Sequence, residues 1–369
     1  DQTRGWFYTL TVLSVALFDR PAFRNVIVNG LVLAEDGKKM SKRLKNYPDP
    51  CYMIQNYGAD ALRLYMIYSP VVRAEDLRFS ESGVKDLLRH IMIPLWNAYG
   101  FFVTYANIDK WKIGDEPDGE SPSVLDRWIV SSLESLTVEV TEAMDSYDLQ
   151  RAVRPFVRFI EDLTNWYIRR SRRRFWKSQD DDDKNWAYQT LSRVLLQLSK
   201  IAAPFVPFIS ENIYRNLRSD DMPESVHLCD YPVCNPDGRD MELEHEMSNV
   251  MTIVRLGRLL RSEHELKVRQ PLSAIHVVSH DRNFINRVGD YTDIIVDELN
   301  VKQVLFGERE AKLAVLRAKP NFKRLGPRLG AETKAAAAAI AAIDEGSVEK
   351  LMSGGKVSIE IQSGEIELS

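Results

Sequence analysis

Apolar residues change their spacing several times along this chain, and each change marks a different kind of structure. Over 6–17 they are dense enough for a helix, and 26–33 is a nearly unbroken apolar run of strand length. This αβ order leads into a basic loop. From residue 48 to about 118 the spacing turns helical. Residues 57–66 carry apolar side chains three and four apart, and Val84, Leu87, Leu88 and Ile91 begin a second stripe that Pro94 is expected to bend or end. The segment 114–123, rich in Gly, Pro, Asp, Glu and Ser, reads as a linker.

Ser123 is then expected to cap a long amphipathic helix with Leu125, Trp128, Ile129, Leu133, Leu136, Val140 and Met144 on one face. Helices over about 149–177, 186–202 and 209–217 follow at short spacing, which predicts an antiparallel bundle closed by a helix over about 242–265. After Pro271 the period drops to two at 275–278, 304–306 and 357–361, and again at 365–369, marking a small α+β domain. The fold class expected is mainly α with α+β parts.

At 369 residues there is room for two or three domains, and 44% hydrophobic with 28% charged residues is ordinary for a globular chain. Net charge is −4, so any nucleic-acid role must rest on local patches. The alanine-rich run 335–343 is half the length a membrane span needs. Cys51, Cys229 and Cys234 form no CxxC pair and are odd in number, which argues against a disulfide framework or zinc knuckle and for a reducing compartment. The six histidines show no metal-ligand spacing. The chain opens inside an apparent motif without methionine and stops within a strand pattern, so a fragment is expected.

Residues 37–46, Gly-Lys-Lys-Met-Ser-Lys-Arg-Leu-Lys-Asn, place Lys38, Lys39, Lys42, Arg43 and Lys45 within eight positions. Lysine is a compact, mobile point charge, and a Gly-led loop lets several close around a leaving pyrophosphate. A solvated basic turn is the plain alternative. Asp1-Gln2-Thr3-Arg4-Gly5-Trp6 sets a carboxylate beside an amide, suited to a ribose hydroxyl, an ammonium or a carboxyl group, with Trp6 as a pocket wall. Helix capping by Asp1 and a core Trp6 compete with that reading.

Further on, Arg169, Arg170, Arg172, Arg173, Arg174 and Lys177 fall within nine residues, beside Trp166, Tyr167 and Trp176. Such cations meet RNA phosphates, and aromatic faces stack on exposed bases. The spacing of Ile160, Leu163, Trp166 and Tyr167 favours a core role for the first two aromatics, and residues 180–183, all aspartate, answer part of the positive charge. A second basic stretch, 319–330, reads either as an RNA contact or as a loop covering the C-terminal sheet.

Lys39-Met40-Ser41-Lys42-Arg43 resembles the KMSKS signature of class I aminoacyl-tRNA synthetases, with Arg43 in place of the last serine. Residues 1–7 resemble the motif upstream of it in members specific for branched aliphatic amino acids. Lys-Asn-Tyr-Pro-Asp-Pro (45–50), Tyr-Gly-Ala-Asp-Ala-Leu-Arg (57–63), Asn-Trp-Tyr-Ile-Arg-Arg-Ser-Arg-Arg-Arg-Phe-Trp (165–176), Lys-Val-Arg-Gln-Pro-Leu (267–272) and Lys-Pro-Asn-Phe-Lys-Arg-Leu-Gly-Pro-Arg-Leu-Gly (319–330) carry the resemblance over essentially the whole chain. They point to the isoleucyl-tRNA synthetase family, in its eukaryotic/archaeal-like branch.

The resemblance implies four parts: 1–47 as the end of a Rossmann-like catalytic domain, 48–118 as a stem-contact helical connector, 119–270 as a helical anticodon-binding bundle, and 271–369 as part of a C-terminal α+β domain. The implied activity is ATP-dependent attachment of isoleucine to tRNA(Ile) through isoleucyl-adenylate, with Mg2+ accompanying ATP and no tightly bound metal. Lys39, Lys42 and Ser41 are implied to be catalytic. Lys39, Met40, Ser41, Lys42, Arg43 and Asp1 are implied to face ATP, Gln2 and Trp6 the amino acid, and Arg169, Arg170, Arg173 and Arg174 the tRNA. The setting implied is cytoplasmic. The family's HIGH-type motif and editing insertion are missing from these residues, so the N-terminal catalytic half and editing domain are expected elsewhere in the same polypeptide, and this chain alone is expected to be inactive. A valyl or leucyl relative and a non-catalytic tRNA-binding module are the alternatives.

Overall fold

The computed structural model describes residues 4–41, 43–44, 46–112, 119, 121–177, 181–279, 281–307, 318–352, 354–361 and 364–368. They form two compact units, 1–245 and 246–369. At the start of the first, α1 (Trp6–Phe18) buries none of its side chains. Val26, Ile27, Val28 and Leu31 are exposed as well. The strand expected over 26–33 shrinks to β1 (Val32–Leu33), because a strand persists only where a neighbour takes its backbone bonds. That neighbour is β2 (Leu77–Arg78), paired in parallel with Val32 opposite Leu77. Where the two segments approach, Gly30 N–H reaches the Val71 carbonyl at 2.8 Å, and a Cβ at Gly30 would lie 1.8 Å from the Glu75 carbonyl oxygen. Only glycine fits there.

In the connector, α2 (Pro50–Tyr57) and α3 (Ala59–Tyr68) are separated by Gly58, whose φ of 84° ends the first helix while its N–H bonds Ile54 O. After α4 (Glu81–Leu87) the chain departs from expectation. Pro94 does not stop the helical stripe: a π-helical turn at Leu88–Met92 leads straight into α5 (Ile93–Asp109). Proline has no N–H and its ring crowds the carbonyl four residues back; the wider turn, in which Ile93 N–H reaches Leu88 O, accommodates both.

The bundle comprises α6 (Val124–Asp145), α7 (Leu149–Glu161) continuing through a π-helical turn (Asp162–Ile168) into α8 (Arg169–Lys177), then α9 (Asp181–Ala202) and α10 (Pro207–Leu217). Helix α6 packs on α7 and α9, and α9 on α10. Trp128, Ile129, Leu133, Leu136 and Val140, the expected inner face of α6, are at most 2% exposed. Ser123 occupies the N-cap position, but its side chain makes no capping bond. The hydroxyl at work is two residues earlier: Ser121 Oγ accepts from Ser123 N–H at 3.2 Å and donates to Asp126 at 2.6 Å. The linker expected over 114–123 lies largely outside the described residues.

Helix α11 (Met241–Glu263) runs across the division between the units. In the second unit β3 (Ile275–Val278) and β4 (Val304–Gly307) pair in parallel around α12 (Arg282–Gly289) and α13 (Thr292–Leu299). The 4% exposed Arg261 fastens this half by donating to the carbonyls of Leu299 at 2.7 Å, Asn300 at 3.2 Å and Lys267 at 3.0 Å. Within the basic stretch 319–330 there is a helix, α14 (Phe322–Leu329), which packs on α15 (Thr333–Ala341). After α16 (Glu345–Met352), β5 (Val357–Ile361) and β6 (Gly364–Leu368) close an antiparallel hairpin.

Candidate functional site: the basic loop and the bundle face

Two backbone devices set the basic loop at the end of β1. Gly37, at φ 80°, closes a turn in which its N–H bonds Ala34 O at 2.8 Å, and Lys39 comes back beside Leu33 as an antiparallel bridge. Asn46 then clamps the far side, accepting from Ser41 N–H at 2.9 Å and donating to Lys39 O at 3.2 Å. Between these clamps Met40 packs against the cluster of Met53, Ala61, Phe79 and Val84. Lys39 and Arg43 are exposed, and Ser41 is half-buried. An apolar anchor holds the loop in place while leaving Lys39 and Arg43 exposed on either side of it, which suits a polyphosphate whose charge moves during reaction.

Not every cation in the run is equivalent. Lys38 is answered locally by Asp36, which accepts from Lys38 N–H at 3.0 Å and pairs with Lys38 Nζ at 3.2 Å. The Lys38 N–H bond and this pairing hold the Asp36 carboxyl below its ordinary range. Lys39 and Arg43 make no ion pair among the described residues. A further cation comes from β2: Arg78 lies against Gly37, where an added Cβ would meet its Nε at 3.2 Å. Nothing in the local sequence signals Arg78; only the parallel pairing of β1 with β2 brings it to the loop. Trp6 is 63% exposed at the start of α1. Lys42, Lys45, Asp1 and Gln2 lie outside the described residues.

The arginines of the run have different partners. Arg174 is an internal tie: its Nη1 and Nη2 reach the Asp126 carboxylate at 2.6 and 2.9 Å, and its Nε reaches Asp183 at 2.8 Å. Asp126 is 1% exposed and also accepts from Tyr167 Oη at 2.9 Å. Burial works against the Arg174 charge, but Asp126 outweighs it and holds the guanidinium above its ordinary range. Burial, then the Asp126 charge, pushes the Tyr167 hydroxyl well up. Arg174 is committed to the inside of the bundle, and the expectation that it meets tRNA does not fit this geometry, because presenting it would strip a buried carboxylate of its counter-charge. Arg172 and Arg173 are exposed, and Arg169 is exposed over the half-buried Trp166, 6.0 Å from its ring centre. Tyr167 is core as its spacing implied. Trp176, half exposed, stacks on Tyr105 at 6.2 Å. A polar cavity of about 350 Å³ opens at one end of the bundle between α6, α9 and residues 237–240, lined by Arg127, Gln189, Thr190 and Arg193. The Gln189 Oε1 in its wall is buried and finds no hydrogen-bond partner among the described residues.

Asp162, at the start of the π-helical turn, is pushed up to about 7 by burial, with Glu161 adding to the rise and Arg158 opposing it. The folded chain keeps this proton where the unfolded chain has lost it, so the penalty is absent below about pH 4, grows as pH rises and is complete above about 7. Asp162→Asn is expected to raise the unfolding free energy by about 1–3 kcal/mol near pH 8 and to leave it nearly unchanged near pH 4. Urea unfolding at both pH values checks this, and an equal change at both would contradict it.

Residues 1–78 match the family model described as tRNA synthetases class I (I, L, M and V), and residues 126–276 match the anticodon-binding domain of tRNA ligase. With a loop of this geometry beside a helical bundle, the chain belongs to the class I tRNA synthetases. Among its curated relatives are isoleucine–tRNA ligases. It is 53% identical over 370 residues to that of Protochlamydia amoebophila and 50% identical over 381 residues to that of Treponema denticola, with the whole chain aligned in both cases. These alignments cover 36% and 35% of the two proteins, so the chain spans about a third of the length of the relatives it matches. A solved leucyl-tRNA synthetase complex from Agrobacterium radiobacter K84 shows a distant likeness, with TM-score 0.48 and 21% identity, covering 63% of this chain and 28% of that one. No helix among the described residues is long and apolar enough to cross a membrane.

Proposed function

We propose that this chain is the part of an isoleucine–tRNA ligase that carries the ATP-handling loop and the tRNA-gripping bundle. The parent reaction joins the isoleucine carboxylate to the α-phosphorus of ATP, releasing pyrophosphate, and then passes the acyl group to tRNA(Ile). In this reading Lys39 and Lys42 lie along the triphosphate and stabilise charge moving onto the leaving pyrophosphate, while Met40 anchors the loop and Ser41 and Arg43 flank it. Asp1 serves the adenylate ribose or the substrate ammonium, Gln2 the carboxyl end and Trp6 the aliphatic pocket. Arg169, Arg170 and Arg173 face tRNA phosphates. Mg2+ enters with ATP, bound mainly through phosphate oxygens. The four parts 1–47, 48–118, 119–270 and 271–369 divide these tasks, and the setting is cytoplasmic.

The observation that carries the reading is near-50% identity to isoleucine–tRNA ligases along the whole chain. The test compares the isolated chain with the full-length polypeptide. The chain alone is expected to bind tRNA with an affinity that falls steeply with salt, and to show only background isoleucine-dependent ATP–pyrophosphate exchange. Clear exchange by the chain alone would contradict the proposed division of labour.

A further inference from the structure

Helix α3 touches both the loop and the bundle. On one side Ala61, fully buried, forms part of the cluster under Met40, and Leu62, Tyr65 and Met66 pack against that cluster. Tyr65 Oη accepts from Ser80 N–H at 3.2 Å, and its ring meets Phe79 edge-on at 5.4 Å. On the other side the Asp60 carboxylate, 4% exposed, accepts from the N–H groups of Phe208 at 3.3 Å and Ile209 at 2.8 Å in the first turn of α10. Arg63 adds a bond to the Pro204 carbonyl at 3.0 Å. Near the other end of α3, Gln150 on α7 donates to the Tyr68 carbonyl at 3.1 Å.

An acid in the first turn of a helix ordinarily serves its own helix end. Asp60 instead caps α10, from the residue next to Ala61 in the floor under Met40. The contact is costly to hold, since burial pushes the carboxyl up, against the opposing pull of the two N–H bonds and the nearby Arg63 charge.

We propose that α3 is a bracket fixing where the bundle sits relative to the basic loop, with Asp60 as a positioning residue for the tRNA-dependent step. This rests on the tRNA-ligase reading above. Adenylate formation needs the loop in place but no RNA. Transfer needs the end of an RNA held by the bundle to arrive at the adenylate, and misplacement by about 1 Å can cost up to ~10²-fold in rate. A loosened joint between α3 and α10 therefore affects the second step and spares the first.

The test uses the full-length protein with Asp60→Ala, Asp60→Asn, which keeps one oxygen acceptor for the α10 N–H groups, and Arg63→Ala as a milder loosening. ATP–pyrophosphate exchange without tRNA and kcat for tRNA charging are measured on the same preparations. Asp60→Ala is expected to lower charging kcat by about tenfold or more while exchange stays within about twofold. Arg63→Ala should show the same split at smaller size, and Asp60→Asn should recover most of the charging rate. Parallel loss of exchange and charging, or no loss of charging in either alanine variant, overturns the bracket. Absence of isoleucine-dependent exchange in the unsubstituted protein overturns the ligase reading itself.

Discussion

Replacing Lys39 and Lys42 together by alanine in the full-length protein is expected to lower kcat for isoleucine-dependent ATP–pyrophosphate exchange by about 10³-fold or more. One preorganised group aimed at developing charge is typically worth about 10²–10³ in rate. The two lysines act on the same leaving group, so their effects will not simply multiply. The loss should fall more on kcat than on KM for ATP, because the charge they meet grows in the transition state. The loop itself should survive, since among the described residues its shape rests on the Asn46 bonds and the Met40 packing rather than on the Lys39 side chain. Circular dichroism and the melting temperature should match the parent protein, and a drop in exchange of less than about threefold would remove the loop from the chemistry.

The largest expected stability effect lies inside the bundle. Asp126 and Arg174 form a buried bidentate pair joining the start of α6 to α8, with Tyr167 and Ser121 bonding the same carboxylate. Removing one partner leaves the other charge buried and unanswered, a loss of about 3–5 kcal/mol. Arg174→Ala is therefore expected to lower the urea midpoint sharply, whereas Asp126→Leu combined with Arg174→Leu should recover much of the difference. Arg173→Ala is the contrasting case: its side chain is exposed, so stability should hardly change while tRNA affinity and its salt slope fall. A loss below about 1 kcal/mol for Arg174→Ala would mean that the pair is not the tie described.

Periodicity reads well where one stripe packs on one neighbour. Helix α6 is the clear case: the middle of its expected inner face, Trp128 to Val140, is buried where α6 packs mainly on α7 and α9, while Leu125 and Met144 at its ends are half-buried. The run 26–33 shows the limit: an apolar segment has strand composition wherever it lies, but here just Val32 and Leu33 are paired as a strand. Pro94 misleads for a related reason, since a π-helical turn repairs the defect that proline creates and leaves no trace in the apolar spacing.

The basic loop announces itself because its five cations crowd into eight positions. Arg78 and Asp60 do not, because each acts on a segment far away in the chain and carries no local sign of its destination. Arg174 looks like its neighbours in the run 169–174, and its separate role appears only once Asp126, 48 residues earlier, is placed beside it.

The most direct measurement is amino-acid-dependent ATP–pyrophosphate exchange and tRNA charging by the full-length protein, comparing isoleucine, valine and leucine. Isoleucine is expected to drive exchange at the lowest KM and to be the amino acid recovered on tRNA(Ile). Preferential use of valine or leucine, or tRNA binding with no exchange for any of the three, would contradict the assignment of this loop and bundle to an isoleucine–tRNA ligase.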